Sequence, residues 1–110
     1  MAWKRLCSLA DVAPCSLGSF TIDGIGFLVV RGDERFIVVP PFCPHMSAPL
    51  ADGFFDGHLL TCALHLWQWS ASDGSAQGIA EAPLMVYPSK VADGDICVNF
   101  DEELQYKHQW

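Results

Sequence analysis

The sequence predicts a single all-β domain built from short antiparallel strands. Its 110 residues suit one domain with one modest core, and no stretch is rich enough in Gly, Ser or Pro to separate two domains. Short apolar runs alternate with compact turn signals, which is the pattern of strands joined by tight turns. These turn signals are Asp23-Gly24, Gly32-Asp33, Asp73-Gly74 and Asp93-Gly94.

The first forty residues predict four strands and one helical turn. Ser8 is placed to cap a single turn through Val12, which Pro14 ends. The continuous apolar runs that follow are typical of strands covered on both faces, and Pro40-Pro41 stops the last of them. The predicted strands are Trp3–Leu6, Phe20–Ile22, Ile25–Arg31 and Phe36–Val39.

The second half predicts four more strands around an irregular middle segment. They are His58–Thr61, Trp67–Trp69, Leu84–Tyr87 and Ile96–Phe100. The simplest architecture is a β base formed by both ends of the chain, about residues 1–40 and 79–102. A smaller unit at about 41–78 is then inserted in the base, and 103–110 form a loose polar tail.

Composition and charge exclude several classes of function. The net charge of −7 would repel nucleic acid, and it suits a small carrier that meets basic patches on larger partners, although ordinary solubility explains it equally well. No apolar run reaches the length of about 18 residues that a membrane span needs. The first residues lack the pattern of a signal peptide, so we expect a cytoplasmic protein with no membrane association.

Two short motifs pair a thiol with an imidazole. Cys43-Pro44-His45 and Cys62-Ala63-Leu64-His65 are separated by sixteen residues, 46–61. Two thiolates and two imidazoles suit either a tetrahedral Zn²⁺ or an iron–sulfur centre. The iron–sulfur reading is favoured because both pairs fall in Pro- and Gly-rich loops between strands. In addition, a chain with 51% apolar residues needs no metal to form its core.

The motifs resemble the ligand set of a Rieske [2Fe–2S] cluster, in which two histidines replace cysteine on one of the two irons. The resemblance extends over nearly the whole chain and implies the Rieske fold, an antiparallel β base with an inserted cluster-binding subdomain. More closely, the chain resembles the ferredoxin components of toluene/alkene-type multicomponent monooxygenases. The matching segments are the opening run from Trp3 to Leu9, the loops from Cys43 to Gly53 and from Cys62 to Trp67, and the turn region at Gly74 and Gly78-Ile79.

Positions inside the two loops distinguish relatives within this family. Ferredoxins of ring-hydroxylating dioxygenases usually carry Pro and Gly where this chain has Ala63 and Leu66. Respiratory Rieske proteins carry a disulfide where Ala48 and Leu64 stand, and a hydroxyl donor where Trp67 stands. Fewer hydrogen bonds to the sulfurs stabilise the reduced cluster less, so we expect a potential near the low end of the roughly −150 to +300 mV Rieske range.

The resemblance implies a role for each motif residue. Cys43 and Cys62 would hold the inner iron, and His45 and His65 the outer iron, where the added electron resides within reach of a partner. Trp67 is interpreted as part of the shell that covers the cluster and shapes the docking face, with a plain core role as the alternative. Four apolar residues flank the predicted ligands: Pro44, Met46, Leu64 and Leu66. They are expected either to form an exposed apolar collar for transient docking or simply to pack one loop against the other.

The remaining cysteines and histidines receive no metal role. Cys7, Cys15 and Cys97 fit no disulfide framework and are expected to be buried or half-buried thiols. His58 and His108 lack ligand spacing; the first is expected at the surface and the second belongs to the tail.

The function implied is that of a soluble, monomeric one-electron carrier. It would take electrons from a flavin-containing NADH reductase and deliver them to a di-iron hydroxylase that oxygenates a hydrocarbon. The chain has no nucleotide fingerprint and no carboxylate–histidine di-iron motif, so it is not expected to be an enzyme itself. The alternatives are a ferredoxin of a Rieske dioxygenase, a small Rieske-like subunit of nitrite reductase, and, in another class, a structural zinc module.

Overall fold

A computed structural model describes residues 2–32, 35–42, 50–62, 67–78 and 83–100. Within these ranges the regular structure consists of ten strands and two short 3₁₀ turns, which confirms the all-β prediction. The strands are β1 (Ala2–Ser8), β2 (Ser16–Ile22), β3 (Ile25–Arg31), β4 (Phe36–Val39), β5 (Phe54–Phe55), β6 (Leu59–Thr61), β7 (Gln68–Ser70), β8 (Ala76–Gln77), β9 (Ser89–Ala92) and β10 (Asp95–Phe100). The 3₁₀ turns are Leu9–Asp11 and Leu50–Asp52.

The strands form three antiparallel sheets in the described part of the chain. One sheet has the order β1-β10-β9 and so joins the beginning of the chain to residues near its end. A second sheet has the order β2-β3-β4, and the third has the order β5-β6-β7-β8. The third sheet lies wholly within the segment 41–78, in which the two predicted ligand motifs occur.

The central strands β3 and β4 separate two hydrophobic cores. Residues 27–30 are fully buried, as their continuous apolar run predicts, and successive side chains point to opposite faces. Leu28 and Val30 therefore pack with the third sheet, whereas Phe27 and Val29 pack with β1 and β10. The first core also contains Ile37, Val39, Leu50, Leu60, Cys62, Trp67, Trp69, Ala71 and Leu84; the second also contains Leu6, Cys7, Val12, Val38, Tyr87, Ile96 and Val98.

The predicted helical turn after β1 is present and is capped as expected. The Ser8 hydroxyl accepts a hydrogen bond from the Ala10 N–H at 3.2 Å, and the Asp11 carboxylate accepts one from the Ser8 N–H at 3.0 Å. This reciprocal arrangement satisfies N–H groups that the first turn leaves unpaired. The Arg31 guanidinium fixes the same turn from β3 by donating to the carbonyls of Leu9 and Val12.

The predicted strand Leu84–Tyr87 is wrong. Leu84 and Tyr87 are buried while the two residues between them are exposed, a spacing that does not fit the alternation of a strand. The Leu84 N–H instead donates to Gly74, and the Tyr87 N–H donates to Val38 in an isolated bridge. The last hairpin does turn at residues 93–94 as predicted, but its first strand is β9.

The other differences concern strand ends and single residues, and the largest is that the strand predicted at Phe20–Ile22 begins four residues earlier, at Ser16. The predicted strands at 58–61 and 67–69 each begin one residue later, and the two-residue strands β5 and β8 were not predicted. Cys7 is buried and Cys97 half-buried, as expected, but Cys15 is exposed because it lies in a surface turn with φ 61°. His58 is exposed, as expected. The described residues contain no helix long and apolar enough to cross a membrane, and the predicted tail lies outside them.

Candidate metal centre

One of the four predicted ligands, Cys62, lies within the described residues. The other three, together with the four predicted collar residues, fall outside them. These residues are Cys43, His45, His65, Pro44, Met46, Leu64 and Leu66. No cluster of three metal-binding side chains occurs in the described part, as expected when most of the predicted ligand set lies outside it. The structure nevertheless describes the frame from which both loops leave.

Cys62 is positioned by the end of strand β6. Its side chain is 1% exposed and belongs to the first hydrophobic core. Its N–H donates to the carbonyl of Trp67 at 2.8 Å, so the ends of the segment 63–66 are held together. The sequence folds this way because β6 and β7 are antiparallel neighbours, with Thr61 paired to Gln68. Cys62 is therefore held at the closed end of the β6–β7 hairpin.

The base of the first motif segment is closed in the same manner. The Leu50 N–H donates to the Pro41 carbonyl at 2.8 Å, which joins the two ends of residues 42–49. Leu50 is fully buried in the same core as Cys62. The bases of the two motif segments therefore pack into one hydrophobic cluster.

Gly53 brings the two bases into backbone contact. A Cβ at this position would lie 2.0 Å from the carbonyl oxygen of Thr61, the residue before Cys62. Phe54 then pairs with Thr61 in the β5–β6 ladder, and the Gly53 N–H donates to Leu50 at 3.0 Å. Gly53 is thus a positioning residue that sequence reasoning treated only as part of a motif match. Its glycine identity was the available signal, since Gly in such a place indicates close backbone approach.

Trp67 and Trp69 lie on the same face of the strand region that leaves the second segment. Trp67 is 8% exposed and Trp69 is fully buried, with ring centroids 6.3 Å apart. Both rings belong to the first core, together with Cys62. The prediction that Trp69 is a core residue is confirmed. Trp67 is almost fully buried and directly follows residues 63–66 in the sequence. Its role as part of the shell that covers the cluster stays a prediction.

Two exposed aromatic side chains border the motif segments. Phe42 immediately precedes Cys43 and is 44% exposed, and Phe54, paired with Thr61, is 66% exposed. Sequence reasoning missed both, because each reads as an ordinary apolar residue of a strand or loop. Their exposure adds apolar surface next to the bases of both segments.

The other described cysteines lie on elements outside the two motif segments. Cys7 belongs to the second core rather than to the core that contains Cys62. Burial is the main cause that raises the pKa of the Cys7 thiol, and the nearby carboxylates of Asp11 and Asp95 act in the same direction. Cys97 lies on β10 in the sheet with β1 and β9. Cys15 lies in the turn before β2.

The residues present fit a thiolate-held cluster. A buried thiol in an apolar surrounding provides a soft ligand and excludes water from it, as an iron–sulfur centre requires. The two backbone closures hold both motif segments at fixed ends. The structure therefore describes the closed bases of the two segments in which the predicted donor set of two thiolates and two imidazoles occurs.

Comparison with known proteins gives a consistent result. Residues 2–88 match the model of the Rieske [2Fe-2S] domain family. The chain is 39% identical to the methanesulfonate monooxygenase ferredoxin subunit of Methylosulfonomonas methylovora, over 96% of this chain and 87% of that protein. It is 30% identical to the ferredoxin component of the alkene monooxygenase system of Xanthobacter autotrophicus, over 84% and 77%.

Two further similarities involve other oxygenase systems and solved structures. The chain is 26% identical to the ferredoxin component of biphenyl 2,3-dioxygenase from Rhodococcus jostii, over 92% of this chain and 95% of that protein. Its fold matches the solved Sphingomonas yanoikuyae ferredoxin with a TM-score of 0.80 at 25% identity, over 91% and 100%. These relatives are ferredoxin components, that is, electron carriers rather than catalytic subunits, and the family match indicates a Rieske-type [2Fe–2S] cluster instead of structural zinc.

Proposed function

Because this chain belongs to the Rieske [2Fe–2S] family and is a ferredoxin of the kind that serves oxygenase systems, we propose that it supplies electrons to a monooxygenase. The donor is a flavin-containing NADH reductase, and the acceptor is the di-iron hydroxylase that carries out oxygen activation. The observation that carries this proposal is the similarity to ferredoxins of two monooxygenase systems, one at 39% and one at 30% identity over most of the chain.

The proposed ligand set is the one that the two motifs predict. Cys43 and Cys62 hold one iron, and His45 and His65 hold the other. When bound, the cluster supplies reversible one-electron chemistry at a centre with two neutral ligands. The burial of Cys62 and its place on the β6–β7 hairpin support its part in this set.

The side chains around the motif segments have two proposed tasks. Trp67 and Leu50 keep water from the base of the centre, since both are buried in the core that contains Cys62. The exposed rings of Phe42 and Phe54 are proposed to add to the apolar collar that the sequence predicts for Pro44, Met46, Leu64 and Leu66. A small apolar contact of this kind releases its partner quickly, which a shuttle between two partners needs.

We also propose a domain organisation, a cellular location and an oligomeric state for this protein. Residues 1–40 and 79–102 form the base, residues 41–78 the cluster-binding subdomain, and 103–110 a tail. The pairing of β1 with β10 across the chain supports the division of the base. The protein is proposed to act as a cytoplasmic monomer, and its net charge of −7 favours encounter with basic patches on its partners.

A second candidate acceptor is the oxygenase of a ring-hydroxylating dioxygenase system. The 26% identity to the biphenyl dioxygenase ferredoxin over 92% of the chain favours it. Ala63 and Leu66 favour the monooxygenase, because the dioxygenase ferredoxins usually carry Pro and Gly at these positions.

The two acceptors can be separated by reoxidation kinetics. The reduced protein is mixed anaerobically with the di-iron hydroxylase of an alkene monooxygenase or with the oxygenase of biphenyl dioxygenase, and cluster absorbance is followed by stopped flow. The proposal predicts faster reoxidation by the di-iron hydroxylase, and NADH-driven product formation once the reductase is added. Faster reoxidation by the dioxygenase would establish the second candidate. Rates equal to those with serum albumin for both acceptors would contradict both.

A further inference from the structure

A row of paired residues crosses the outer face of the third sheet directly beside the second motif. Its members lie opposite one another on β5, β6, β7 and β8, and they are Phe54, Thr61, Gln68 and Gln77. The neighbouring row, which contains Leu60 and Trp69, packs into the first hydrophobic core. Because successive side chains of a strand point to opposite faces, the row with Thr61 and Gln68 faces away from this core.

The pairing of β6 with β7 leaves one level of the hairpin without a backbone hydrogen bond. In an antiparallel ladder, hydrogen-bonded residue pairs alternate with pairs that exchange no backbone hydrogen bond. The Cys62 N–H donates to the Trp67 carbonyl at 2.8 Å, which makes these two a hydrogen-bonded pair. The preceding pair, Thr61 and Gln68, is therefore of the other kind, in which side chains approach more closely. At this level the strands can be joined directly only through side chains.

A side-chain hydrogen bond joins the two strands at this level. The Nε2 of Gln68 donates to the Oγ1 of Thr61 at 3.2 Å, and the bond is partly buried. The other end of the Gln68 amide lies against Gly78, where an added Cβ would be 3.5 Å from the Oε1 atom. Thr61 is also paired with Phe54 on β5. The residue before Cys62 is thus held from both neighbouring strands.

Gln77, the next residue in the row, makes a bond of a different kind. Its Nε2 donates to the Ser75 hydroxyl at 3.1 Å, and this bond is exposed and joins residues two apart in the sequence. Gln68 and Gln77 therefore share a residue type, a sheet face and a pairing row. Of the two, Gln68 is the one whose side chain links the strands that flank residues 63–66.

We propose that Thr61 and Gln68 are positioning residues for the metal centre. Their side-chain bond fixes the direction in which β6 delivers Cys62 and in which β7 receives the chain after residues 63–66. This inference rests on the proposed ligand set, in which Cys62 holds one iron. Loss of the bond lets the end of the hairpin open, and water then reaches the buried sulfur more easily. Reduction adds a negative charge that water stabilises, so the reduction potential should rise.

The test compares variants of the cluster-loaded protein by voltammetry and by EPR of the reduced form. Thr61→Val and Gln68→Met each remove the bond with little change in side-chain size. Both should raise the reduction potential and broaden the g values. Both should also speed the release of iron to excess EDTA by about five-fold, the change expected when one hydrogen bond is lost.

Two controls separate positioning from stability. Thr61→Ser keeps a hydroxyl at the same place and should restore the potential of the parent. Gln77→Met removes the exposed bond to Ser75 and should leave the potential and the g values unchanged. The double variant of Thr61→Val and Gln68→Met should shift the potential no further than either single variant, because all three remove the same bond.

Three results would overturn the proposal. The first is that Thr61→Val and Gln68→Met lower the stability in urea but keep the potential and g values of the parent. The second is an equal shift in Gln77→Met. The third is a parent protein that binds no cluster, which would also refute the ligand set. The potential is measured without either redox partner, so a wrong acceptor in the proposed function would not alter these results.

Discussion

Replacement of Gly53 by alanine tests whether the bases of the two motif segments depend on one another. The added Cβ would lie 2.0 Å from the Thr61 carbonyl oxygen, whereas ordinary contacts begin near 3.4 Å. The two backbones must therefore separate by more than an ångström. Neither can move alone, because Thr61 is paired with Phe54 and the Gly53 N–H donates to Leu50.

The expected cost can be worked from these contacts. One or two backbone hydrogen bonds at about 1 kcal/mol each, with about 1–2 kcal/mol of strain, give a loss of roughly 2–4 kcal/mol. In a domain of this size this corresponds to a fall in melting temperature of roughly 10–20 °C. Cluster absorbance should be lost with a shorter half-life at a fixed temperature, because the shifted carbonyl belongs to the residue before Cys62.

Gly26 provides a comparison in which the added Cβ presses only mildly on the base of the first segment, through Pro41. A Cβ there would meet only the ring of Pro41 at 3.3 Å, a contact that a small shift relieves. Thermal unfolding followed by circular dichroism, and the loss of visible cluster absorbance at a fixed temperature, should distinguish the two alanine variants. If Gly53→Ala melts within about 3 °C of Gly26→Ala and retains its cluster equally well, the coupling between the two bases is refuted.

Three further predictions concern single residues. Cys62→Ser should yield colourless protein with no more than residual iron and sulfide. Cys97→Ser should bind a full complement of iron and sulfide, because its thiol lies on strand β10. Equal iron content in the two variants would remove Cys62 from the ligand set. Arg31→Met should lower the melting temperature by roughly 10 °C, because the hydrogen bonds to two carbonyls of the first 3₁₀ turn are lost; an unchanged transition would show that the turn is held by other contacts. The lowered pKa of Asp56 means that its ionised form stabilises the fold above the unfolded pKa of about 3.9, and that this contribution fades as the pH falls below it. Asp56→Asn should therefore be less stable than the parent in urea from pH 7 down to about pH 4, and should approach it only as the pH falls from there towards about pH 2. A difference that stays constant between about pH 4 and pH 2 would contradict the assignment.

The sequence predicted the parts of the fold that rest on local pattern. The run from Phe27 to Val30 is buried on both faces because β3 lies between two cores, and its continuous apolar character reported this directly. The cap at Ser8 and the turn at 93–94 likewise depend on residues close in sequence. The ligand motifs themselves are also local, so the family could be recognised from them.

The features that the sequence did not reveal depend on contacts between distant segments. Leu84 and Tyr87 are held by Gly74 and Val38, and no local pattern encodes those partners. The role of Gly53 is set by the carbonyl oxygen of Thr61, eight residues away in the sequence. Of the candidate site, the four ligands were predicted from the spacing of the motifs and from the family resemblance, whereas the frame that positions Cys62 needed the structure.

The measurement that tests the central claim most directly is the EPR spectrum of the purified protein, taken as isolated and after reduction with dithionite. Mixed ligation by two cysteines and two histidines predicts a red-brown, EPR-silent oxidised form. On reduction it predicts a rhombic signal with the low average g value of a His-ligated [2Fe–2S] centre, integrating to one spin per chain. A colourless protein that holds stoichiometric zinc, or a signal typical of four-cysteine ligation, would contradict the assignment of a Rieske electron carrier.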